Sequence, residues 1–288
     1  THSVTSGNAI ALQAPQGVIL HSGDFKLDST PVDGRRSDLA RIGHLSHTDG
    51  IRLLLADSTN ADEPGFSTSE SEIGRVLYDL FHEHQERRLV VACFSSHIHR
   101  VQQIADAAIE QGRVVATLGL SMKRNIRMAR DMGLLDIPAS KLVDIEELER
   151  YRPDEVCIIS TGSQGEPMSA LALMAANQNR WLKIGANDTV ILSSHPIPGN
   201  EHNVTRVIDG LTRLGAEVVH TGIADVHATG HAQAGELQLY HSLVRPEWFV
   251  PVHGEYRQLV AHSRIAEDVG ADPAKVVVCE DGDQIVLD

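Results

Sequence analysis

The sequence predicts a layered α/β protein in which a block of alternating strands and helices is inserted into a second sheet. Two early apolar strands are each followed by an acid, at Asp24 and Asp57. Between residues 71 and 214, apolar runs alternate with helical patterns and small-residue loops, which is typical of a parallel sheet with right-handed crossovers. Short strands return after residue 214. We therefore expect the two ends of the chain to share one sheet.

Composition limits the classes of function. The 288 residues are 42% hydrophobic and 22% charged, which suits a globular protein with a full core. The formal charge of −14 argues against binding nucleic acid by bulk electrostatics. It leaves room for a locally basic channel, because screening confines such fields to about 10 Å. No apolar run approaches the roughly 20 residues of a membrane span, so we predict no membrane partner.

The cysteines bear on the cellular compartment. Cys93, Cys157 and Cys279 are far apart, and each lies in an apolar, strand-like run. This pattern favours buried free thiols in a reducing compartment over disulfides or a thiolate metal site. We therefore predict a cytoplasmic protein.

The early strands place two acids near turns. Residues 18–21 and 51–57 are apolar strands; Asp24 lies just past the first, and Asp57 ends the second. In a layered α/β fold, groups at strand ends gather at one edge of the sheet, where catalytic residues are found. The alternative is that these acids are ordinary turn formers beside glycine.

The middle block repeats one unit of strand, loop and helix. A capping-box pattern at 67–70 predicts a helix over 71–84. Strands are predicted at 88–94, 113–118, 155–160 and 188–192, and a basic helix contains Lys123, Arg124, Arg127 and Arg130. The Ser, Thr and Gly loops that follow the strands suit phosphate contacts through backbone N–H groups and hydroxyls. Ordinary helix capping is the competing interpretation.

The last segment concentrates histidines. Strands are predicted at 217–220, 248–252, 275–279 and 284–287. His227 and His231 flank a Thr-Gly pair, and a third histidine, His253, follows the apolar run at 248–252 directly before Gly254. An imidazole at the end of a strand is a common metal ligand, although a lone histidine there is more often just polar. Three within one short segment favour the metal.

Eight motifs resemble the ribonuclease J family, in order along the chain. They are THSV (1–4), HSGDFK (21–26), ADSTNA (56–61), SSHIHR (95–100), TGSQGEP (161–167), PIPGNE (196–201), HATGH (227–231) and VHGE (252–255). The resemblance implies the β-CASP branch of the metallo-β-lactamase fold. It predicts part of an αββα sandwich at 1–70, an inserted parallel α/β β-CASP domain at 71–214, and completion of the sandwich at 215–288.

The resemblance also implies roles for individual residues. It makes His2, Asp24 and His253 ligands of a pair of zinc ions, and it gives His231 and Asp57 catalytic roles. Asp57 would orient an imidazole, and His231 would face the leaving oxygen or a phosphate. The expected substrate-binding residues are His227, Thr229, Gly230, His231, Ser96, His97, Arg100 and Ser163, with the basic face from Lys123 to Arg130 as a further candidate.

The sequence departs from the family at the metal motif. The family's His-x-His-x-Asp-His segment should precede His2 and is absent. We therefore expect a fragment of a longer protein that binds zinc poorly and has little activity alone. Three histidine clusters resemble the motif in part, and none has the full spacing. His44 and His47 in a predicted polar loop, and His82 and His84 on a predicted exposed helix, are rejected as ligands. His97 and His99 at a predicted strand end are better placed for RNA than for metal. After His2, Val4-Thr5-Ser6 replaces the usual Pro-Asp-Ser, which bears only on residues supporting the ligands.

The expected activity is zinc-dependent hydrolysis of RNA phosphodiesters, both endonucleolytic and 5′-to-3′ exonucleolytic, in RNA maturation and decay. The expected partners are RNA, further copies in a homodimer or homotetramer, and components of an RNA-decay complex. Two alternatives stay open at this point. One is a metal-poor β-CASP subunit that binds RNA as a scaffold, and the other is a metallo-hydrolase of this fold acting on DNA or a small ester.

Overall fold

The computed structural model describes residues 7–197 and 199–288, which form ten strands and eight α-helices. The strands are β1 (Ile10–Ala14), β2 (Gly17–His21), β3 (Ile51–Asp57), β4 (Arg88–Ala92), β5 (Val114–Leu118), β6 (Leu142–Val143), β7 (Val156–Ser160), β8 (Asp188–Leu192), β9 (Glu217–Val219) and β10 (Trp248–Val252). The helices are α1 (Leu39–Thr48), α2 (Glu70–Glu83), α3 (Ile98–Glu110), α4 (Leu120–Asp131), α5 (Ala170–Ala175), α6 (Glu201–Arg213), α7 (Ala234–Val244) and α8 (Tyr256–Asp268). Among these described residues, no helix combines the length and the apolar character needed to cross a bilayer.

The chain divides into two compact units. The inserted unit is Glu70–Ala228, and the flanking unit combines the residues up to Ser69 with Thr229–Asp288. The first division lies next to the boundary predicted at residue 71. The second lies beyond the predicted boundary at 214, because β9 pairs with β8 and so extends the sheet of the inserted unit.

The inserted unit contains the predicted parallel sheet. Its six strands are ordered β6-β5-β7-β4-β8-β9, and every neighbouring pair is parallel. Alternate residues of β4 enter opposite cores. Leu89 and Val91 pack with the helices α2, α3 and α4, whereas Val90 and Ala92 pack with α5 and α6. Burial of both faces explains why these strands are continuous apolar runs in the sequence.

The flanking unit contains a four-stranded sheet in the order β1-β2-β3-β10. The β1 and β2 strands form an antiparallel hairpin, and β3 runs parallel to both β2 and β10. One face packs Val18, Leu20, Leu54 and Phe249 against apolar residues of α1, α7 and α8. Because β2, β3 and β10 are parallel, their carboxyl ends point in one direction, which brings the residues that follow them to one edge.

Two local predictions of regular structure are wrong. His44 and His47 lie on α1, not in a loop, because Asp38 caps a helix by accepting a hydrogen bond from the Arg41 amide. The strands predicted at 275–279 and 284–287 do not form. The first of these runs makes only a single bridge between Val276 and Phe249, followed by a hydrogen bond from the Val277 amide.

Two further predictions concern burial. Cys93 and Cys157 are buried thiols as predicted, whereas Cys279 is partly exposed. Burial raises the pKa of both buried thiols to about 12. His84 was predicted to be exposed on a helix, but it lies buried just after α2, with Nδ1 3.7 Å from a Glu217 carboxylate oxygen. The predicted exposure of His84 is therefore wrong.

Candidate metal centre

The strand register of the flanking unit brings three predicted site residues to one edge. Val252 is paired with Asp57 at the ends of β10 and β3, so His253 is the first residue beyond the end of β10. On the other side of β3, His21 is paired with Leu55, and the chain turns at Gly23 to present Asp24. Asp24 Oδ1 lies 3.7 Å from His253 Nδ1 although the residues are far apart in sequence.

The turns that present Asp24 and His253 each contain a residue with positive φ. Gly23 has φ +61°, and a Cβ there would lie 2.5 Å from the Asn8 carbonyl oxygen, so a side chain does not fit. His253 also adopts the left-handed region, with φ +55°, where a residue with a Cβ is strained. Left-handed backbone at a non-glycine residue persists where surrounding contacts hold it. The contacts of the imidazole and carbonyl of His253 with Thr59 supply that restraint.

Asp57 is the centre of the hydrogen-bond network. Its Oδ1 accepts from the Thr59 amide at 3.1 Å and the Thr59 hydroxyl at 2.7 Å, and it lies 3.2 Å from His253 Nδ1. Its Oδ2 lies 2.7 Å from His231 Nδ1 and accepts from the Phe25 amide at 3.4 Å. One buried carboxylate therefore orients both imidazoles, whose rings stack with centroids 5.5 Å apart.

Electrostatics in the network favour an ionised Asp57. Burial by itself would raise the pKa of the Asp57 carboxyl, but the hydrogen bonds and charge of His231, with the hydrogen bonds of Thr59, lower it to about 2. Burial likewise would lower the pKa of His231, and the hydrogen bond and negative charge of Asp57, with Asp24, raise it instead. Asp57 is therefore an ionised carboxylate in contact with the imidazoles of His231 and His253.

The donor set fits a divalent metal. One ligand atom each from Asp24, His231 and His253 lies within 4.8 Å of the other two. Imidazole nitrogen and carboxylate oxygen are the ligand types of zinc in hydrolases. The Asp24 and His253 side chains are 45% and 54% exposed, so water and substrate can reach them. His2, the third predicted ligand, lies outside the described residues.

The loop that carries His231 is held by Asn60, a residue for which no role was predicted from the sequence. Asn60 donates from Nδ2 to the Thr229 hydroxyl at 2.8 Å and to the His231 carbonyl at 3.3 Å. The Thr229 hydroxyl also accepts from the His231 amide at 3.1 Å. Thr229 therefore shapes the loop, and Gly230 beside it is buried. The substrate contacts predicted for both stay predictions.

Thr59 was also missed as a site residue. It lies two residues after Asp57, the spacing at which an Asp side chain bonds to the backbone in an Asx turn. That spacing is visible in the sequence, and Asn60 follows directly. A strand that ends in Asp-x-Thr was therefore the signal for a carboxylate held by its own turn.

The predicted RNA contacts in the inserted unit are mostly buried. Arg100 is 0% exposed; its guanidinium donates to Glu70 at 2.9 Å and to the Val226 carbonyl at 2.8 Å. His97 is 2% exposed, with Nε2 3.2 Å from the same Glu70 oxygen. Ser163 is 3% exposed and its carbonyl accepts from Ser194. These positions do not support the predicted substrate contacts, because the donors serve the interior of the unit.

The two remaining candidates of the inserted unit differ from each other. Ser96 is exposed in the turn that precedes α3, so its contact with substrate stays a prediction. The Nδ1 atom of His227 is buried without a hydrogen-bond partner among the described residues. Burial, with the positive charge of Arg100, lowers the pKa of His227 to about 3, so this imidazole is neutral. The substrate contact predicted for His227 stays a prediction.

Comparisons with known proteins agree with this architecture. Two family models match the chain: "Ribonuclease J, beta-CASP domain" over residues 86–211 and "Zn-dependent metallo-hydrolase RNA specificity domain" over residues 216–278. A solved structure of a protein of unknown function from Enterococcus faecalis V583 superposes with a TM-score of 0.63 at 14% identity. It covers 99% of this chain and 62% of that one, which supports the fold alone.

Named relatives match nearly the whole chain. Ribonuclease J of Mycobacterium tuberculosis strain H37Rv is 46% identical over 286 residues, covering 99% of this chain and 51% of that protein. Ribonuclease J of Thermus thermophilus is 42% identical, covering 98% and 49%, and that of Helicobacter pylori strain B128 is 41% identical, covering 99% and 41%. The chain thus spans about half the length of the curated relatives it matches, or less. With the motif order, the parallel β-CASP sheet and both family models in agreement, the chain belongs to the ribonuclease J family.

Proposed function

We propose that the protein is a zinc-dependent ribonuclease that hydrolyses RNA phosphodiesters, with endonucleolytic and 5′-to-3′ exonucleolytic action in RNA maturation and decay. One observation carries the proposal. Asp24, His231 and His253 converge within 4.8 Å over the buried Asp57, in a chain 46% identical to a ribonuclease J. Convergence of groups this far apart in sequence is expected of a site, not of a solvated surface.

Asp24 and His253 are the proposed ligands from the described residues, and His2 is a third from the sequence. Two zinc ions would supply Lewis-acid catalysis and activate water for attack on phosphorus. Asp57 and Thr59 hold the Nδ1 side of His253, so Nε2 is the nitrogen that this imidazole would offer. Its orientation is thereby set before a metal binds.

His231 is the proposed proton or hydrogen-bond donor to the leaving oxygen or a phosphate. Asp57 fixes it through Nδ1, so the opposite edge of the ring, with Nε2, would face the reacting groups. A positioned donor of this kind typically contributes about 10²–10⁴-fold to the rate. His231 also lies within reach of an ion held by Asp24 and His253.

A basic helix supports RNA as the substrate. Arg124, Arg127 and Arg130 of α4 are exposed, and they have no ion-pair partner within the described parts of the chain. Such a face in a protein of net charge −14 is a local exception that suits the phosphate backbone. Its contribution should be electrostatic, so neutralising the three arginines should reduce the salt dependence of RNA binding.

The test measures metal content, RNA cleavage and RNA binding together in the intact protein. Asp24→Asn and His253→Ala should each lower bound zinc and abolish cleavage of a 5′-labelled RNA, while RNA binding changes little. The matched controls are Asp33→Asn and His44→Ala, two exposed residues of the flanking unit outside the cluster. These controls should retain zinc and activity.

Contrary outcomes distinguish the alternatives. RNA binding with no zinc and no cleavage in the wild type would indicate a scaffold subunit. Zinc with cleavage of DNA or a small ester, and none of RNA, would indicate another hydrolase of this fold. A cytoplasmic location, a homodimer or homotetramer, and partners in an RNA-decay complex are further parts of the proposal, tested by fractionation and mass measurement of the native protein.

A further inference from the structure

Helix α8 contacts the loop that carries Asp57. We call residues 57–60 the Asp57 loop. Gln258 and His262 are four residues apart on α8, so they share one face of the helix. Their exposed fractions are 8% and 1%, and both side chains reach the Asp57 loop. This face of α8 therefore contacts the loop at Ser58 and Thr59, the two residues that follow Asp57.

The contact of His262 is a buried hydrogen bond to Ser58. His262 Nδ1 lies 2.9 Å from Ser58 Oγ, and Ser58 Oγ donates to the Ala56 carbonyl at 3.2 Å. A hydroxyl has one proton, so both contacts are hydrogen bonds when Nδ1–H donates to Ser58. Ser58 is 0% exposed, so solvent does not reach its hydroxyl in the folded protein.

Gln258 makes a second contact beside the first. Its Nε2 donates to the Thr59 carbonyl, and its Oε1 accepts from the Glu255 amide at 2.8 Å. Gly254 permits the close approach, since a Cβ there would lie 3.2 Å from Gln258 and 3.3 Å from Ser58. The turn after His253 and the Asp57 loop are thus packed against one helix.

We propose that His262 is a positioning residue for the metal centre, acting through Ser58 on the turn that presents Asp57 and Thr59. This inference rests on the proposed function and adds to it a residue outside the ligand set. Ser58 lies between Asp57, which orients His231 and His253, and Thr59, which contacts His253. Movement of Ser58 would therefore displace the acceptor atoms of both imidazoles together.

His241 provides a matched control in the same core. It is 4% exposed and packs edge-on against Phe249 at 5.0 Å, as His262 does at 4.7 Å. Burial lowers the pKa of both, to about 4 and about 3 respectively. The Nδ1 atom of His241, however, has no hydrogen-bond partner in the described residues, and its side chain is not bonded to the Asp57 loop. The two histidines therefore differ in the hydrogen bond to the Asp57 loop, which only His262 makes.

The first measurement is amide hydrogen exchange in the metal-free chain. The Thr59 amide donates to Asp57 and reports on the loop, while the Leu54 amide in β3 reports on global unfolding. His262→Leu should raise exchange at Thr59 relative to Leu54 by about tenfold, the effect of a buried hydroxyl without its partner. His241→Leu should change the exchange rates of the Thr59 and Leu54 amides by the same factor. His262→Asn, which places an amide donor where Nδ1 was, should restore the wild-type ratio.

The second measurement is zinc affinity in the intact protein, by competition with a chelator. His262→Leu should weaken zinc binding by about tenfold, and His262→Asn and His241→Leu by much less. An unchanged exchange ratio in His262→Leu, or the same rise in His241→Leu, would overturn the inference. Absence of zinc binding by the wild type would instead overturn the proposed function, and it would leave the exchange result unaffected.

Discussion

The flanking and inserted units each bury a carboxylate that lies beside a histidine, and they balance its charge in different ways. In the flanking unit, Asp57 is satisfied by imidazoles and by its own turn, and these imidazoles extend to solvent. In the inserted unit, Glu70 is paired with the guanidinium of Arg100, a permanent cation that is fully enclosed. Imidazoles can exchange a proton for a metal, whereas a guanidinium cannot.

The comparison shows why residue type alone did not separate a site from a structural pair. His97 and His253 both follow a strand, and both contact a carboxylate. Their side-chain exposures of 3% and 54% give them different capacities for binding a ligand. What distinguishes them is whether the second ring nitrogen can reach a ligand.

The largest expected effect is on the buried pair of the inserted unit. Arg100→Met leaves the Glu70 carboxylate buried without its cation, so the free energy of unfolding should fall by about 3–5 kcal/mol. Urea denaturation measures the change. Arg152→Met, which removes an exposed pair with Asp154, should lower it by less than about 1 kcal/mol. Zinc affinity of the folded Arg100→Met protein should be unchanged; a loss would show that the pair supports the metal centre.

The second expected effect is acid destabilisation through His241. Burial lowers the pKa of this histidine to about 4, below the value of 6.5 of the exposed side chain. The unfolded state therefore binds the proton first, so stability is complete above pH 6.5 and falls as the pH drops toward 4. Protonation of this group should lower the free energy of unfolding by about 3 kcal/mol at pH 4 relative to neutral pH. In His241→Leu, urea denaturation at pH 7, 5.5 and 4 should show a shallower loss. An unchanged pH slope would contradict the burial argument.

The third prediction concerns Asp57 itself. Asp57→Asn keeps the shape but removes the charge that orients both imidazoles, so zinc affinity of the intact protein should fall about 10–100-fold. Chelator competition measures the fall. Asp33→Asn is the control, since its carboxylate is exposed and accepts from the Arg35 amide. Equal affinities in the two variants would remove the distinction between Asp57 and an ordinary turn former.

Much of the fold was accessible to sequence reasoning for a physical reason. Strands such as β4 and β7 are buried on both faces, so they are continuous apolar runs. The positions of Asp57 at the end of β3 and of His253 directly after β10 were also predictable, because the ends of these apolar strands meet. The enclosure of Arg100 was not, since it depends on Glu70 and Val226, which approach from distant parts of the sequence. The apolar run at 275–279 looked like a strand, but its backbone pairs with β10 at one residue only.

The last and smallest expected effect tests whether strain is a feature of the metal centre. In the inserted unit, glycine takes positive φ within two residues of the ends of β5 and β7, at Gly119 and Gly162, whereas the residue with positive φ directly after β10 is His253. His253→Gly and His253→Ala both lack the imidazole, so their difference isolates the backbone. The glycine variant should be more stable by about 1 kcal/mol, because only alanine retains the left-handed penalty.

The control for this pair has the opposite sign. At His44, in the regular helix α1, glycine should be less stable than alanine by about 1 kcal/mol. Urea denaturation of all four variants in the metal-free chain therefore gives a reversal between two exposed histidines of one unit. If alanine is the more stable residue at both positions, His253 is not strained. In that case the Thr59 contacts would not be needed to restrain the backbone, and their role at the metal centre would be to orient the imidazole alone.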